Sequence, residues 1–168
     1  AAESGEPVAL TCTGATASRN YLPGLTEAYY RKLPVLAVTS SQPLGRIGNM
    51  SPQMLDRTSE QNDVCKFSLQ CLPVDNPDDR WLCEANLNRA LLELIHDGGG
   101  PVHINLVTRY SDNFGVGQLP SVHFVDRIGP NDALPTLRGK RIAVYVGAHA
   151  AWSEELVKAV DAFCEKYG

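Results

Sequence analysis

Glu6–Pro43 reads EPVALTCTGATASRNYLPGLTEAYYRKLPVLAVTSSQP, and this stretch decides the fold. Val8 to Leu10 is a short apolar run that enters a loop of small residues, Thr11, Cys12, Thr13, Gly14, Ala15, Thr16 and Ala17. The pattern predicts a helix from about Arg19 to Lys32, then a second apolar run, Val35 to Val38, ending in Thr39, Ser40 and Ser41. Strand, tight loop, helix, strand makes one βαβ unit. Backbone N–H groups in a loop stripped of bulk, beside a helix N-terminus, approach a flat or anionic ligand closely. The loop therefore marks where a ligand would sit before it says which ligand.

The totals narrow the class. With 168 residues, 43% of them hydrophobic and 20% charged, the chain can bury a core as an ordinary globular protein does. A net charge of −4 and a pI near 5.5 argue against nucleic acid as a partner. No apolar stretch approaches the roughly 20 residues that span a bilayer, and no basic-then-apolar leader opens the chain, so no membrane association is expected. Five cysteines, Cys12, Cys65, Cys71, Cys83 and Cys164, are scattered and never in CxxC spacing. They read as reduced thiols of a cytoplasmic protein rather than a disulfide framework or a zinc site.

Beyond the first unit, residues 43–59 are rich in Gly, Pro, Ser and Asn, with helical turns predicted at Gln53 to Asp56 and Glu60 to Val64. Phe67 to Leu72 alternates as a short strand does. Asn76 and Pro77 are placed to cap and open a helix over about Arg80 to Asp97, which Gly98, Gly99, Gly100 and Pro101 stop. Val102 to Val107 reads as a buried parallel strand. Residues 1–110 are thus assigned to one α/β domain with a parallel sheet flanked by helices. Residues 111–137 have a linker's composition. Residues 138–168 read as the first βα unit of a second α/β domain, with a strand over Ile142 to Val146 and a helix over Ser153 to Lys166. Both ends of the chain read as cut.

These segments resemble the pyrimidine-binding domain of thiamine-diphosphate-dependent enzymes, followed by the start of their central domain. That family includes acetolactate synthase, the 2-oxoacid decarboxylases and the menaquinone-pathway enzyme that joins 2-oxoglutarate to isochorismate. Cys12-Thr13-Gly14-Ala15 answers to the TSGPG-like or TSGTA-like loop, and Pro23 to Ala28 (PGLTEA) to the GLxxA or PALxEA helix. Pro34 to Pro43 answers to the buried strand that follows. GGGPVHINLVTRY, Gly98 to Tyr110, is similar to the strand that closes the domain, and LRGKRIAVYVGAHAAW, Leu137 to Trp152, to the opening of the next. Cys12 stands where the family more often has Ser, and the loop lacks the family's proline.

The resemblance implies a fragment of an enzyme that decarboxylates or ligates 2-oxoacids, a lyase or transferase using thiamine diphosphate and magnesium, and a homodimer or homotetramer when intact. It implies cofactor contacts from Thr13, Gly14 and Ala15 along the aminopyrimidine, from Asn20, and from Gln53 in the Gln-bearing loop. It places the activating Glu and the GDG-type diphosphate–metal motif outside these residues, so no catalytic residue and no metal ligand is assigned, and the piece alone is expected to be inactive. Read without the resemblance, Thr13 to Ala17 is equally a close-packed βα turn, Asn20 a helix-terminal hydrogen-bonder and Gln53 a solvated loop residue. His103 reads as a satisfied core histidine and Cys12 as a small buried filler. The alternative function is a non-catalytic α/β module that packs on partners or binds a nucleotide. The absence of a GxGxxG or GxxxxGK[ST] loop counts against the nucleotide.

Overall fold

Four apolar runs become four parallel strands in the computed structural model, which describes residues 1–12, 15–110, 115, 117–137 and 141–167. They are β1 (Val8–Thr11), β2 (Val35–Ser41), β3 (Phe67–Cys71) and β4 (Val102–Val107), lying in the order β1-β2-β4-β3. Val8 pairs with Val35, Leu36 with Val102, and Phe67 with Val102, so all four enter the sheet at one level. Helix α1 (Leu22–Tyr30) links β1 to β2, and α2 (Pro77–Glu93) links β3 to β4. The expected α/β parallel sheet with flanking helices is what forms.

Alternation along the strands gives each face its own core. One core joins Leu69, Val102 and Ile104 of the sheet to Ala90 and Leu94 on and just past α2, with Leu36, Phe67 and Leu87 packed around them. The other joins Ala37 to Leu25 of α1 and to Val64 and Cys65 of the incoming loop. The first helix starts later than its pattern predicts. Pro23 sits in its first turn, where a missing N–H costs nothing, and Ala15–Tyr21 before it is wound as a 3-10 segment.

Helix α2 is capped as its sequence predicts. Asn76 Oδ1 accepts the Asp79 N–H at 2.9 Å, while Asp79 Oδ2 accepts from Asp75 N and Asn76 Nδ2. Its end comes at Glu93, short of the expected Asp97, because Lys66 Nζ reaches the Glu93 carbonyl at 3.3 Å and also the His96 carbonyl. The chain then turns through a short 3-10 piece, His96–Gly98. From further along, residues 121–125 return to the outer side of α2: Arg80 Nη2 donates to the Ser121 carbonyl at 2.7 Å and Asn88 Nδ2 to the His123 carbonyl at 2.8 Å. Asn88 Oδ1 in turn accepts the Val125 N–H at 2.9 Å, and His123 Nδ1 lies 3.2 Å from Glu84 Oε2.

Two compact units divide the chain, Ala1–Arg127 and Ile128–Gly168. In the second, α3 (Glu154–Tyr167) forms about where expected, its Leu156 N–H bonded to Ser153 Oγ at 3.3 Å. The strand expected at Ile142 to Val146 does not form among the described residues. A strand exists through its ladder, and no described segment pairs with this one. No helix among the described residues is long and apolar enough to cross a membrane.

The turn after α2 tests this packing. Gly98 and Gly99 both have φ near +80°, but a Cβ on Gly99 would sit 2.7 Å from the Leu94 carbonyl, whereas one on Gly98 meets only the flexible Lys32 side chain. Gly98→Ala should cost about 1 kcal/mol and Gly99→Ala about 2–3 kcal/mol, read from urea midpoints followed by circular dichroism.

Candidate functional site

Three strands each carry a polar pair two residues apart: Ser68 and Gln70 on β3, Thr39 and Ser41 on β2, His103 and Asn105 on β4. Residues two apart share a face, and the register sets Ser68 beside His103, and Gln70 beside Asn105 beside Thr39. The result is a polar layer across the α1 side of the sheet, in which Thr39, Ser41, His103 and Asn105 are all buried. Ser68 Oγ lies 3.1 Å from His103 Nδ1, and His103 Nε2 lies 2.8 Å from Thr39 Oγ1. Thr39 Oγ1 lies 2.9 Å from Asn105 Oδ1. Asn105 Nδ2 reaches Ser41 Oγ at 2.9 Å and Gln70 Oε1 at 2.8 Å, and Gln70 Nε2 meets the backbone carbonyl of Arg57.

The direction of every bond in this chain follows from its last member. A backbone carbonyl only accepts, so Gln70 must present its amide nitrogen to Arg57 and its oxygen to Asn105. Asn105 must then donate to Gln70 and turn its own oxygen to Thr39, whose hydroxyl donates to it. With that proton spent, His103 donates to Thr39 through Nε2, and Nδ1 accepts from Ser68. The bonds thus put a proton on Nε2, and burial, which disfavours the charged ring, leaves Nδ1 bare to accept from Ser68. Burial first, then the charges of Arg57 and Arg19, push its pKa down to about 4.

Arg57 ties the layer to the segment that leaves the small-residue loop. Its side chain is buried, with Nε donating to Ser18 Oγ at 2.8 Å and Nη1 to the Ser40 carbonyl at 3.1 Å. Burial lowers the Arg57 pKa and raises that of Glu60, whose Oε2 lies 3.6 Å from Arg19 Nη1 and whose Oε1 lies 3.9 Å from His103 Nδ1. Ser18 and Arg19 belong to the 3-10 segment that leaves the small-residue loop. Anything held by that loop thus rests on a segment braced by two arginines.

Of the residues the sequence assigns to the cofactor, Thr13 and Gly14 lie outside the described residues. Ala15 opens the 3-10 segment and Asn20 stands exposed near its end. Gln53 is exposed in a turn with φ of 55°. Among the described residues no hydrogen bond joins Asn20 to Gln53. His103 is the satisfied core histidine expected of it. Arg57, Ser18, Glu60 and the Thr39–Asn105 pair were not singled out, although the repeated polar pair on three apolar strands was there to be seen. No group of three or more His, Cys, Asp or Glu able to hold a metal occurs among the described residues.

Two outcomes check this layer. A histidine whose folded pKa lies below its unfolded value of about 6.5 contributes stability that is complete above pH 6.5 and is lost as pH falls toward 4, about 3 kcal/mol in all. The melting temperature should fall through that window, and His103→Gln should flatten the fall. Glu60, raised by burial, acts in the opposite sense and limits the drop. Gln70→Glu sets a carboxylate against the Arg57 carbonyl and should cost about 2–3 kcal/mol at pH 7, with part of the loss recovered in acid as the carboxyl becomes a donor.

No protein-family model matches the chain. Curated relatives do. The 2-succinyl-5-enolpyruvyl-6-hydroxy-3-cyclohexene-1-carboxylate synthase of Bacteroides thetaiotaomicron is 35% identical over 128 residues, 76% of this chain and 23% of the relative. The Bacteroides fragilis synthase of the same name is 36% identical over 128 residues with the same two coverages. That of Geobacillus thermodenitrificans is 36% identical over 107 residues, 61% of this chain and 18% of its own length. The chain spans about a quarter of the length of the first two. Wherever it starts, a match of 128 residues within 168 takes in Gln53, Arg57, His103 and Asn105. The motifs of the first loop, its helix and the closing strand agree with these relatives on one conclusion: the chain belongs to the thiamine-diphosphate-dependent enzyme family.

Proposed function

We propose that residues 1–110 form the pyrimidine side of a thiamine-diphosphate site, that 111–137 link it onward, and that 138–168 open a central domain. The whole protein is then a carboligase acting on a 2-oxoacid, making the cyclohexene carboxylate for which its relatives are named. The observation that carries this reading is the identity of 35% over 128 residues to a synthase whose loop and strand motifs the sequence also resembles. When bound, thiamine diphosphate supplies a sink for the electron pair released as a 2-oxoacid loses carbon dioxide.

The donor set here suits the pyrimidine half of that cofactor and not the diphosphate half. The C-terminal ends of β1 and β2 lead into the small-residue loop and the turn after Ser41, at the edge where open parallel sheets take ligands. No metal-ligating cluster occurs among the described residues and no GDG-type motif in the sequence, so magnesium and the diphosphate are assigned to other parts of the protein. In this reading the backbone of Thr13, Gly14 and Ala15 lies along the aminopyrimidine, Asn20 contacts the cofactor, and Gln53 reaches substrate or cofactor. Arg57 holds the 3-10 segment in place beneath them. The intact protein is a cytoplasmic homodimer or larger, with each site completed by a partner subunit.

The whole protein should convert 2-oxoglutarate and isochorismate only with thiamine diphosphate and magnesium present. Gln53→Ala should lower kcat/KM about a hundredfold, the size of loss expected when a positioning contact goes. The 168-residue chain alone should release no carbon dioxide from pyruvate or 2-oxoglutarate. Turnover by the whole protein without the cofactor, or decarboxylation by the 168 residues alone, would sink the reading.

A further inference from the structure

Away from the polar layer, two thiols face each other across the join between sheet and helix. Cys71 is the last residue of β3 and Cys83 lies in the second turn of α2, with their sulfurs 3.3 Å apart. Both are free and half-buried. They sit on two elements that share one buried core, to which Leu69 of β3 and Ala90 of α2 both belong and against which Cys71 packs. A disulfide needs its sulfurs about 2.0 Å apart, so this pair has only about 1.3 Å left to close. Leu72, Pro73, Leu82 and Asn86 line an open groove beside the pair, giving a small disulfide access to it. Cys65 is buried in the other core, with Leu25 and Ala37.

We propose that Cys71 and Cys83 are a reversible dithiol–disulfide site that staples the end of β3 to α2, oxidised by a low-molecular-weight disulfide such as oxidised glutathione. The Cys83 thiolate attacks one sulfur of oxidised glutathione, forming a mixed disulfide and releasing one glutathione thiolate. Cys71 gives its proton to solvent base and attacks the Cys83 sulfur, releasing the second glutathione. The two protein thiols are oxidised by the two electrons that reduce one glutathione disulfide to two thiols. Burial first, and then the hydrogen bond and charge of Cys83, push the Cys71 thiol up to about 12, so Cys71 is the resolving sulfur and closure quickens with rising pH.

Trypsin makes the test direct, because Arg80 separates the two cysteines in sequence. The native chain is treated with oxidised glutathione at mildly alkaline pH, quenched in acid, alkylated with iodoacetamide and digested without reductant. The peptides Phe67–Arg80 and Trp81–Arg89 should be recovered joined, lighter than their sum by two hydrogens, and should separate with dithiothreitol. The same treatment in guanidinium should lose the preference and scatter the pairing among the five cysteines. Recovery of the two peptides separately, each alkylated or carrying glutathione, overturns the proposal. So does equal joining in guanidinium, which would make the link a product of sequence proximity rather than of the fold.

Discussion

One backbone carbonyl, that of Arg57, sets the proton order of the whole buried layer. It can only accept, and from that one fact the amides of Gln70 and Asn105, the hydroxyl of Thr39 and the Nε2 proton of His103 follow in turn. The same residue's guanidinium fastens Ser18 and the end of β2. The polar layer and the loop above it are therefore two readings of one constraint. Moving Arg57 would reverse or break bonds on three strands and unseat the segment that leaves the small-residue loop. A buried guanidinium is costly to desolvate, and bonds to Ser18 and Ser40 offset part of that cost. Such an arrangement serves position more than stability.

The two faces of the sheet divide the work. On the α2 side, Val102, Ile104 and Leu69 pack against Ala90 and Leu94 in a core without polar atoms. On the α1 side the same strands turn Thr39, His103 and Asn105 inward, and the apolar contacts shrink to the group around Leu25 and Ala37. Hydrophobic burial on the first face stabilises the sheet, which leaves the second free to hold groups in fixed orientation.

Much of this was legible in the sequence where the signal is local. Val102–Val107 was read residue for residue because Val, Ile, Leu and Val interrupted only by His103 and Asn105, between Gly-Pro and Thr-Arg, have few other fates. Asn76 was readable as a cap because its partner, Asp79, is three residues on. Arg57 was not, because what buries it lies 17 and 39 positions away, in a loop whose composition says only turn. The end of α2 was overrun for a like reason, since Lys66 reaches its last carbonyls from 27 and 30 residues upstream. Ile142 to Val146 has a strand's pattern, but a pattern cannot supply the neighbour a strand requires.

The segment that lies along α2 has a built-in end. Arg80, Glu84 and Asn88 are four residues apart on the helix, a step of about 6.0 Å, while Ser121, His123 and Val125 are two apart on extended chain, a step of about 6.6 Å. The two rulers agree closely enough for adjacent rungs to engage, then drift apart by about 0.6 Å with each further one. Like a vernier scale, the contact comes into coincidence over a few divisions and must go out of it. The contact holds over the three rungs present, and the first compact unit ends at Arg127, two residues beyond the last rung and just before Gly129-Pro130.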